Sequence, residues 1–176
     1  MPYDTRQTGT PPSSIEPIGF FTGVQIRPII VGVVVDYIAT YAGTYAYFFI
    51  YLAKELSKQG EVTGEQIAKY MTSPEGLMIG FTIGVLGTAV GGFVAAHKAR
   101  KLEIKHGALV GACSLILSFI EQSLQEESLP LPEWFRFLSV LAIIPAGALG
   151  GFVAGALKGS GGDKRPVGRS SPGTNR

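Results

Sequence analysis

The chain has few of the residues that most enzymes use for chemistry. It contains one cysteine and two histidines, and 16% of its 176 residues are charged, against about 25% in an average soluble domain. The single cysteine, Cys113, allows neither an internal disulfide nor a thiolate cluster. No serine-hydrolase, zinc-protease, phosphate-loop or paired-cysteine motif is present. These absences predict a protein that is not an enzyme and that binds no metal and no cofactor.

Long uncharged runs are what the sequence has in abundance. Hydrophobic residues make up 46% of the chain. Four stretches are nearly free of charge: Pro28–Ala53, Gly76–Ala96, Gly107–Ile120 and Phe137–Leu157. A helix of about 20 apolar residues crosses the hydrocarbon core of a bilayer. Three stretches reach that length, and we expect the third to continue as a helix to Glu126. The sequence therefore predicts an all-α polytopic membrane protein with four transmembrane helices.

Charges in the connections predict the orientation of these helices. The connection between the second and third stretches is basic, as is the C-terminal tail, whereas the connection before the fourth stretch is acidic. Lysine and arginine collect on the cytoplasmic side of membranes, so we expect both termini in the cytoplasm. Residues 1–17 lack the features of a signal peptide, which favours a bacterial inner membrane and leaves an organelle membrane open. The basic residues fit anionic lipid as a partner rather than nucleic acid.

Composition divides the chain into three parts. Residues 1–26 are expected to form a cytoplasmic N-terminal segment, with residues 1–17 flexible, and residues 27–158 the four-helix transmembrane domain. Residues 159–176 form a basic tail whose composition predicts disorder. Within the domain, Thr63-Gly-Glu-Gln66 is a capping-box pattern that opens a short surface helix. Ser73-Pro-Glu75 marks the start of the second membrane helix.

A five-residue repeat suggests an internal duplication. Gly91-Gly-Phe-Val-Ala95 recurs as Gly150-Gly-Phe-Val-Ala154, and a lysine follows each copy. Parallel repeats build several membrane folds. We therefore expect two helical hairpins of the same orientation, residues 27–100 and 105–158. Chance similarity between glycine-rich segments is the alternative.

The same region resembles a known group of proteins. Its motifs are Gly91-Gly-Phe-Val-Ala95, Lys98-Ala-Arg-Lys101 and His106-Gly-Ala-Leu-Val-Gly111. They resemble small bacterial four-helix membrane proteins of uncharacterised function. In those proteins a GG-x-x-A motif at the end of one helix is followed, after a basic connection, by an HG-x-x-x-G motif at the start of the next helix. The resemblance covers about residues 76–125. It implies the same four-helix topology and implies no catalytic residues.

Glycines spaced by four predict close helix packing. Residues four apart share a helix face, and small residues let membrane helices approach closely. The candidate packing positions are Gly80, Gly84, Gly87 and Gly91 in the second stretch and Gly147, Gly151 and Gly155 in the fourth. These faces either pack within one bundle or dock a second copy or another membrane subunit. The spacing alone leaves both open.

Asp36 is the most unusual residue of the first apolar stretch, because burying an ionisable side chain inside a membrane helix is costly in free energy. Together with Thr40, Tyr41 and Thr44 it forms a polar stripe along one helix, about two turns into the first stretch and nearer the inner leaflet. It serves as a proton or cation site, or it is a carboxyl group hydrogen-bonded for helix register. The third interpretation is a carboxylate at the cytoplasmic interface that pairs with Lys98, Arg100 or Lys105.

The two histidines flank the basic connection. His97 and His106 are close enough in sequence to face each other across the turn. Two histidines without a carboxylate or thiolate make a poor metal site, so haem or metal ligation has little support. We expect helix-end histidines that interact with head groups or backbone carbonyls.

Two functions fit these features. The first is a non-catalytic accessory or scaffold subunit of a membrane complex that packs through its glycine-rich faces, against other subunits or as a homo-oligomer. The second is a small oligomeric transporter or channel, proton-linked through Asp36. Four helices seldom enclose a path alone, so the second function requires oligomerisation.

Overall fold

The described part of the chain folds into five helices, of which four are long and apolar enough to cross a membrane. The computed structural model describes residue 19 and residues 21–124 and 131–161. The helices are α1 (Ile26–Gln59), α2 (Gly64–Met71), α3 (Pro74–Lys98), α4 (Glu103–Leu124) and α5 (Glu133–Gly161). The candidate spans are α1, α3, α4 and α5. The predicted all-α class and the four membrane helices are confirmed, and they indicate an integral membrane protein.

Two helix starts follow directly from local sequence. The Thr63 hydroxyl accepts a hydrogen bond from the backbone N–H of Gln66, whose side chain accepts one from the N–H of Thr63. This capping box satisfies two N–H groups that have no partner within α2. Ser73 caps α3 by accepting from the N–H of Gly76, and Pro74 occupies the first helical position. Both predicted starts are confirmed.

Other helix boundaries differ from the expected ones by a few residues. α1 begins at Ile26 rather than Pro28, because a proline in the first turn needs no hydrogen-bonded N–H. α1 also continues beyond Ala53 to Gln59, and α5 ends at Gly161. α4 ends at Leu124, and Glu126 lies outside the described residues. The predicted flexible segment, residues 1–17, and residues 162–176 of the predicted tail also lie outside them.

α3 is the central helix of the bundle. It packs along α1, α4 and α5, and α5 also packs along α4. α1 and α4 touch less extensively, and in the described residues the backbones of α1 and α5 do not approach each other closely. The start of α1, the α3–α4 connection and the end of α5 meet at one end. We call this the basic end, after Lys98, Arg100 and Lys101, and the opposite one the acidic end, after Glu121 and Glu133.

Glycine lets these helices approach to backbone contact. Gly91 on α3 faces the Gly32 carbonyl on α1, and Gly92 faces the Gly147 backbone on α5. Gly107 of α4 faces the carbonyl oxygen of the same Gly147. A methyl group at any of these positions would overlap the neighbouring backbone. Close approach of this kind is how helices associate where lipid removes the hydrophobic driving force.

A small core seals the basic end. Ile29, Ala95 and Val110, from three helices, pack together there, and Ala95 and Val110 are fully buried. His106 is fully buried as well. One of its ring nitrogens, Nδ1, donates to the Leu102 carbonyl at 2.9 Å, and the other, Nε2, accepts from the Gln25 backbone N–H at 2.9 Å. The ring therefore ties the start of α1 to the α3–α4 connection.

Lys158 ties α5 to the same connection. Its Nζ donates to the carbonyl oxygens of Ala96 at 2.7 Å and Ala99 at 2.6 Å, and lies 3.3 Å from the Glu103 carboxylate. Carbonyls at the end of a helix have no partner within that helix. The ammonium group of Lys158 therefore caps α3 from another helix.

Tyrosines fix α2 at the acidic end. The Tyr70 hydroxyl is hydrogen-bonded to that of Tyr47, and its ring stacks on Tyr51 with centroids 4.0 Å apart. Desolvation, followed by the hydrogen bond to Tyr47, raises the pKa of Tyr70 above its usual value. Tyr70 therefore stays neutral at physiological pH, and its contacts hold the surface helix against the end of α1.

Candidate functional site

Three hydroxyl groups from three helices surround the carboxyl group of Asp36. Ser114 on α4 donates to Oδ2 at 2.5 Å, and Thr40 on α1 donates to Oδ1 at 3.2 Å. Thr88 on α3 lies 3.2 Å from both oxygens. Asp36 is 4% exposed and belongs to none of the ion pairs among the described residues. Neutral partners alone therefore hold this carboxyl group.

The site lies in the middle of the bundle. Ser114 is near the midpoint of α4, and Asp36 lies ten residues after the start of α1, or about 15 Å along it. Asp36 lies about two turns after Pro28, and its place near the inner leaflet stays a prediction. The interfacial interpretation, with Lys98, Arg100 or Lys105 as its partner, is not what the structure shows, because those residues belong to the basic end.

Hydroxyl partners suit a carboxyl group that gains and loses a proton. Thr88 has one hydroxyl hydrogen and three acceptors within reach: the two Asp36 oxygens and the Gly84 carbonyl at 3.0 Å. With an ionised Asp36, Thr88 donates to the carboxylate. With a protonated Asp36, the acid donates to Thr88, and Thr88 donates to Gly84. Because a hydroxyl both donates and accepts, every group stays hydrogen-bonded in either state.

A cleft of about 620 Å³ leads from the acidic end down to Asp36. α1, α3, α4 and α5 all contribute to its walls. Besides the groups around Asp36, its polar lining comprises Tyr37, Tyr41, Thr44, Ser118, Glu121, Gln122, Ser123, Arg136 and Ser139. A cavity of this size with so many polar groups has room and partners for ordered water.

The cleft stops at Asp36. Immediately beyond it, Gly91 presses α3 against Gly32 and Asp36 of α1. Further toward the basic end lie the buried core residues Ala95 and Val110. The carboxyl group therefore faces a polar space on one side and close helix packing on the other.

The mouth of the cleft carries charges of both signs. The Tyr41 hydroxyl donates to Glu121 Oε1 at 2.8 Å and so joins α1 to α4 at this level. Arg136, on α5, lines the opposite wall, and its guanidinium lies 3.8 Å from the exposed Glu133 carboxylate. A hydrated ion or a polar head group entering here would meet both Glu121 and Arg136.

The predicted polar stripe lies along this cleft. Asp36, Thr40, Tyr41 and Thr44 all line it. The stripe also has partners that sequence reasoning missed, Thr88 and Ser114, each a polar residue inside an otherwise apolar stretch. Their positions at membrane depth were the available signal, since such side chains tend to hydrogen-bond across helices.

The seven predicted packing glycines divide into three groups. Gly87, Gly91, Gly147 and Gly151 lie against neighbouring helices so closely that a methyl group would overlap them, and Gly155 makes ordinary contact with Glu103. A methyl group at Gly80 or Gly84 would meet nothing within 4 Å. These two residues line the cleft instead of packing against a helix, and the side chains they lack leave part of its space open.

The two histidines have separate environments. His106 is buried and makes the carbonyl contact that was expected of a helix-end histidine, but its ring is shielded from head groups. His97 is exposed and stacks on Phe93 with ring centroids 5.9 Å apart. Among residues 21–124 and 131–161, no three histidine, cysteine or acidic side chains are grouped to hold a metal ion.

Comparison with known protein families gives a match that includes α3, α4 and most of α5. Residues 65–154, just over half of the chain, match a family described as protein of unknown function (DUF3792). The chain belongs to this family. The match includes the motifs from Gly91 to Gly111, so the resemblance is confirmed as one to a family of unknown function, and this chain itself has four candidate membrane spans. No curated protein and no solved structure matches the chain.

The family segment covers only part of the site. It contains Thr88, Ser114, Glu121 and Arg136. Asp36 lies on α1, before the first matched residue. The family description therefore assigns no role to the carboxyl group, and its chemistry has to be argued from its surroundings.

Proposed function

We propose that the protein is a small oligomeric transporter or channel that takes up protons at Asp36 through the cleft. One observation carries the proposal: a buried carboxyl group in the middle of the bundle, held only by hydroxyl groups, forms the floor of a polar cleft. Ionisable residues inside membrane helices are expensive and commonly mark ion or proton paths. A carboxyl group kept only for helix register would not need such a cleft.

The absence of a counter-charge at Asp36 supports a proton rather than a permanent ion pair. An ionised carboxylate without a cationic partner is costly in a low-dielectric interior, and protonation removes that cost. The hydroxyl groups of Thr40, Thr88 and Ser114 accommodate both states. The site is therefore equipped to exchange a proton with water that enters from the acidic end.

Passage across the membrane requires a second opening. Close packing of α1 against α3 at Gly32 and Gly91 blocks the way from Asp36 to the basic end. We propose that assembly into an oligomer, or a change in this packing, completes the path. Discrete rearrangement of packed helices is an established way of switching access.

Proton flux into liposomes tests this function. Purified protein is reconstituted around a trapped pH-sensitive dye, and a potassium gradient with valinomycin drives protons inward. We expect the wild type to acidify the interior faster than empty liposomes do, and Asp36→Asn to match empty liposomes. Tyr45→Phe, a change at an exposed position on α1 that does not line the cleft, is the control. A wild-type rate in Asp36→Asn would refute the proposal.

An accessory subunit is the second candidate function. Most of the predicted packing glycines of this protein already contact helices of the same chain, so fewer glycines remain for contact with a partner subunit. Gly155 and Gly159, near the end of α5, favour this function, because a methyl group would meet nothing within 4 Å at Gly159 and only Glu103 at Gly155. Their spacing of four suits a helix from another subunit.

Co-purification in mild detergent tests the second function. A stable companion, or a second copy, should accompany the wild-type chain and be lost from Gly159→Leu. Gly64→Leu, at an equally open glycine on α2, is the control. A chain that remains a lone monomer, without crosslinks in native membrane, excludes an accessory role.

We further propose that the protein lies in a bacterial inner membrane with both termini and the basic end in the cytoplasm. We also propose that the fold arose by duplication of one helical hairpin. The charge distribution supports the orientation. In support of duplication, Gly150 lies 59 positions after its counterpart Gly91, and α3 and α5 meet at nearly equivalent positions, such as Gly92 with Gly147. Reporters fused to the two ends test the orientation, because opposite compartments would contradict it.

A further inference from the structure

A second hollow lies on the outer surface of the bundle, between α1 and α4. It is a groove of about 610 Å³. Its apolar lining comprises Val33, Val34, Ile38, Leu117, Ile120 and Leu124. Because α1 and α4 are candidate membrane spans, this groove opens toward the acyl chains of the bilayer.

The groove and the cleft share one wall. Tyr37 and Glu121 line both hollows. Tyr41 completes the wall: its hydroxyl donates to Glu121 at 2.8 Å, and its ring centroid lies 6.0 Å from that of Tyr37. Between the described parts of α1 and α4, the side-chain hydrogen bonds are this one and the bond from Ser114 to Asp36. The side chains of Tyr37, Tyr41 and Glu121, joined by one hydrogen bond, therefore separate the polar hollow from the apolar one.

We propose that the cleft and the groove together bind one phospholipid of the surrounding bilayer, with a primary amine in its head group. The head group occupies the cleft, one acyl chain lies in the groove, and the glycerol region passes the wall of Tyr37, Tyr41 and Glu121. This inference rests on the proposed function in so far as it takes the cleft as a binding site. It makes the bound lipid a ligand of that site, in addition to the proton that Asp36 takes up.

The charges of the cleft select the head group. Its lining carries two carboxyl groups, Asp36 and Glu121, against one guanidinium, Arg136. A primary ammonium group pairs with carboxylates, and a phosphate pairs with arginine. A zwitterionic head group that has both therefore matches the lining. A head group whose only charge is the phosphate leaves the two carboxyl groups without a cationic partner and is disfavoured by like charge.

Native mass spectrometry of the full chain tests the inference. The protein is released from mild detergent after equilibration with phosphatidylethanolamine or phosphatidylglycerol of identical acyl chains. We expect one retained phosphatidylethanolamine per chain, bound about tenfold more tightly than phosphatidylglycerol, as expected when a charge pair replaces like-charge contact. Equal retention of the two lipids by the wild type would overturn the choice of head group.

Substitutions in the groove test where the chain lies. Ile120→Trp fills the groove from α4, and Ile38→Trp fills it from α1, both at exposed positions. Each is expected to lower lipid retention about tenfold. Ile116→Trp, exposed on α4 but outside the groove, is the matched control and should retain lipid like the wild type. Equal retention in all three variants would overturn the proposed chain position.

Two further measurements separate the parts of the inference. Glu121→Gln is expected to remove the preference between the two lipids while chain binding persists. Phosphoethanolamine without acyl chains is expected to bind far more weakly than the lipid, and equal binding would show that the groove contributes nothing. A wild-type dimer that dissociates in Ile120→Trp would assign the groove to a second copy and overturn the inference.

Failure here is distinguishable from failure of the proposed function. Lipid retention is measured without a proton gradient, and the flux experiment compares Asp36→Asn with wild type in one lipid mixture. If flux depends on Asp36 but the two lipids are retained equally, only the proposed lipid site is refuted. If phosphatidylethanolamine is retained selectively but no proton flux is measured, only the proposed proton uptake is refuted.

Discussion

The hydroxyl of Ser114 on α4 donates to Asp36 on α1 at 2.5 Å, across the middle of the bundle. These two helices otherwise touch little, whereas each packs closely against α3 or α5. The hydrogen bond therefore connects the two halves of the molecule at the floor of its cleft. It also makes a buried polar group part of both the fold and the proposed chemistry.

Removing this hydroxyl should weaken the bundle. Ser114→Ala deletes one of the three partners of Asp36, and hydrogen bonds between membrane helices contribute about 0.5–2 kcal/mol. We expect a loss of about 1 kcal/mol in the free energy of unfolding, measured by thermal or denaturant unfolding in detergent. Ser123→Ala is the control, because its hydroxyl bonds only within α4, to the Phe119 carbonyl. Equal stability of the two variants would argue against a structural role for the Ser114 bond.

Glycine substitutions should separate packing positions from cleft positions. A methyl group at Gly107 would overlap the Gly147 carbonyl, whereas one at Gly84 would meet nothing within 4 Å. Overpacking of a rigid interface commonly costs about 1–3 kcal/mol. We expect Gly107→Ala to unfold at distinctly lower temperature, and Gly84→Ala to match or exceed the wild type, since alanine favours helix. Equal melting temperatures would contradict the close α4–α5 contact.

The buried histidine should matter more than the exposed one. His106→Ala removes the partner of the Gln25 N–H and one of the two hydrogen bonds to the Leu102 carbonyl, at a cost of about 1 kcal/mol each. Hydrogen exchange at the start of α1 should rise in this variant. His97→Ala, at the exposed ring, should leave it unchanged. Slow exchange at Gln25 in His106→Ala would show that other contacts hold the start of α1.

The cap that Lys158 places on α3 predicts a similar contrast. Lys158→Met keeps the aliphatic stem but removes the hydrogen bonds to Ala96, Ala99 and Glu103, each made by a charged donor. We expect a loss of about 1–3 kcal/mol and faster proteolysis of the α3–α4 connection. Lys101→Met changes an exposed lysine of the same connection and serves as the control. Indistinguishable digestion of the two variants would contradict the cap.

Patterns of short range predicted much of the fold. The capping box at Thr63, the serine cap at Ser73 and the four apolar stretches each act within one helix, so the sequence alone determines them. The arrangement of the site was not predictable in this way, because it depends on which helix faces pack against each other. Gly80 and Gly87 belong to the same run of glycines, yet one lines a cleft and the other touches Thr40.

The partners of Asp36 show the same limit. Thr40, four residues away, was predictable from helix geometry. Ser114 is 78 positions away and became a partner only when α4 packed beside α1. Glu121, which is 85 positions from Asp36 in the sequence, shares the cleft with it, because the cleft extends from the acidic end to the middle of the bundle.

Carbodiimide labelling tests the central claim most directly. A carbodiimide reacts with protonated carboxyl groups, and peptide mapping by mass spectrometry locates the product. If Asp36 exchanges protons with water in the cleft, Asp36 becomes labelled, labelling declines as pH rises, and a bulky block at the mouth, Thr44→Trp, slows it. Absence of label at Asp36 at every pH, while the more accessible Glu121 reacts, would contradict the account.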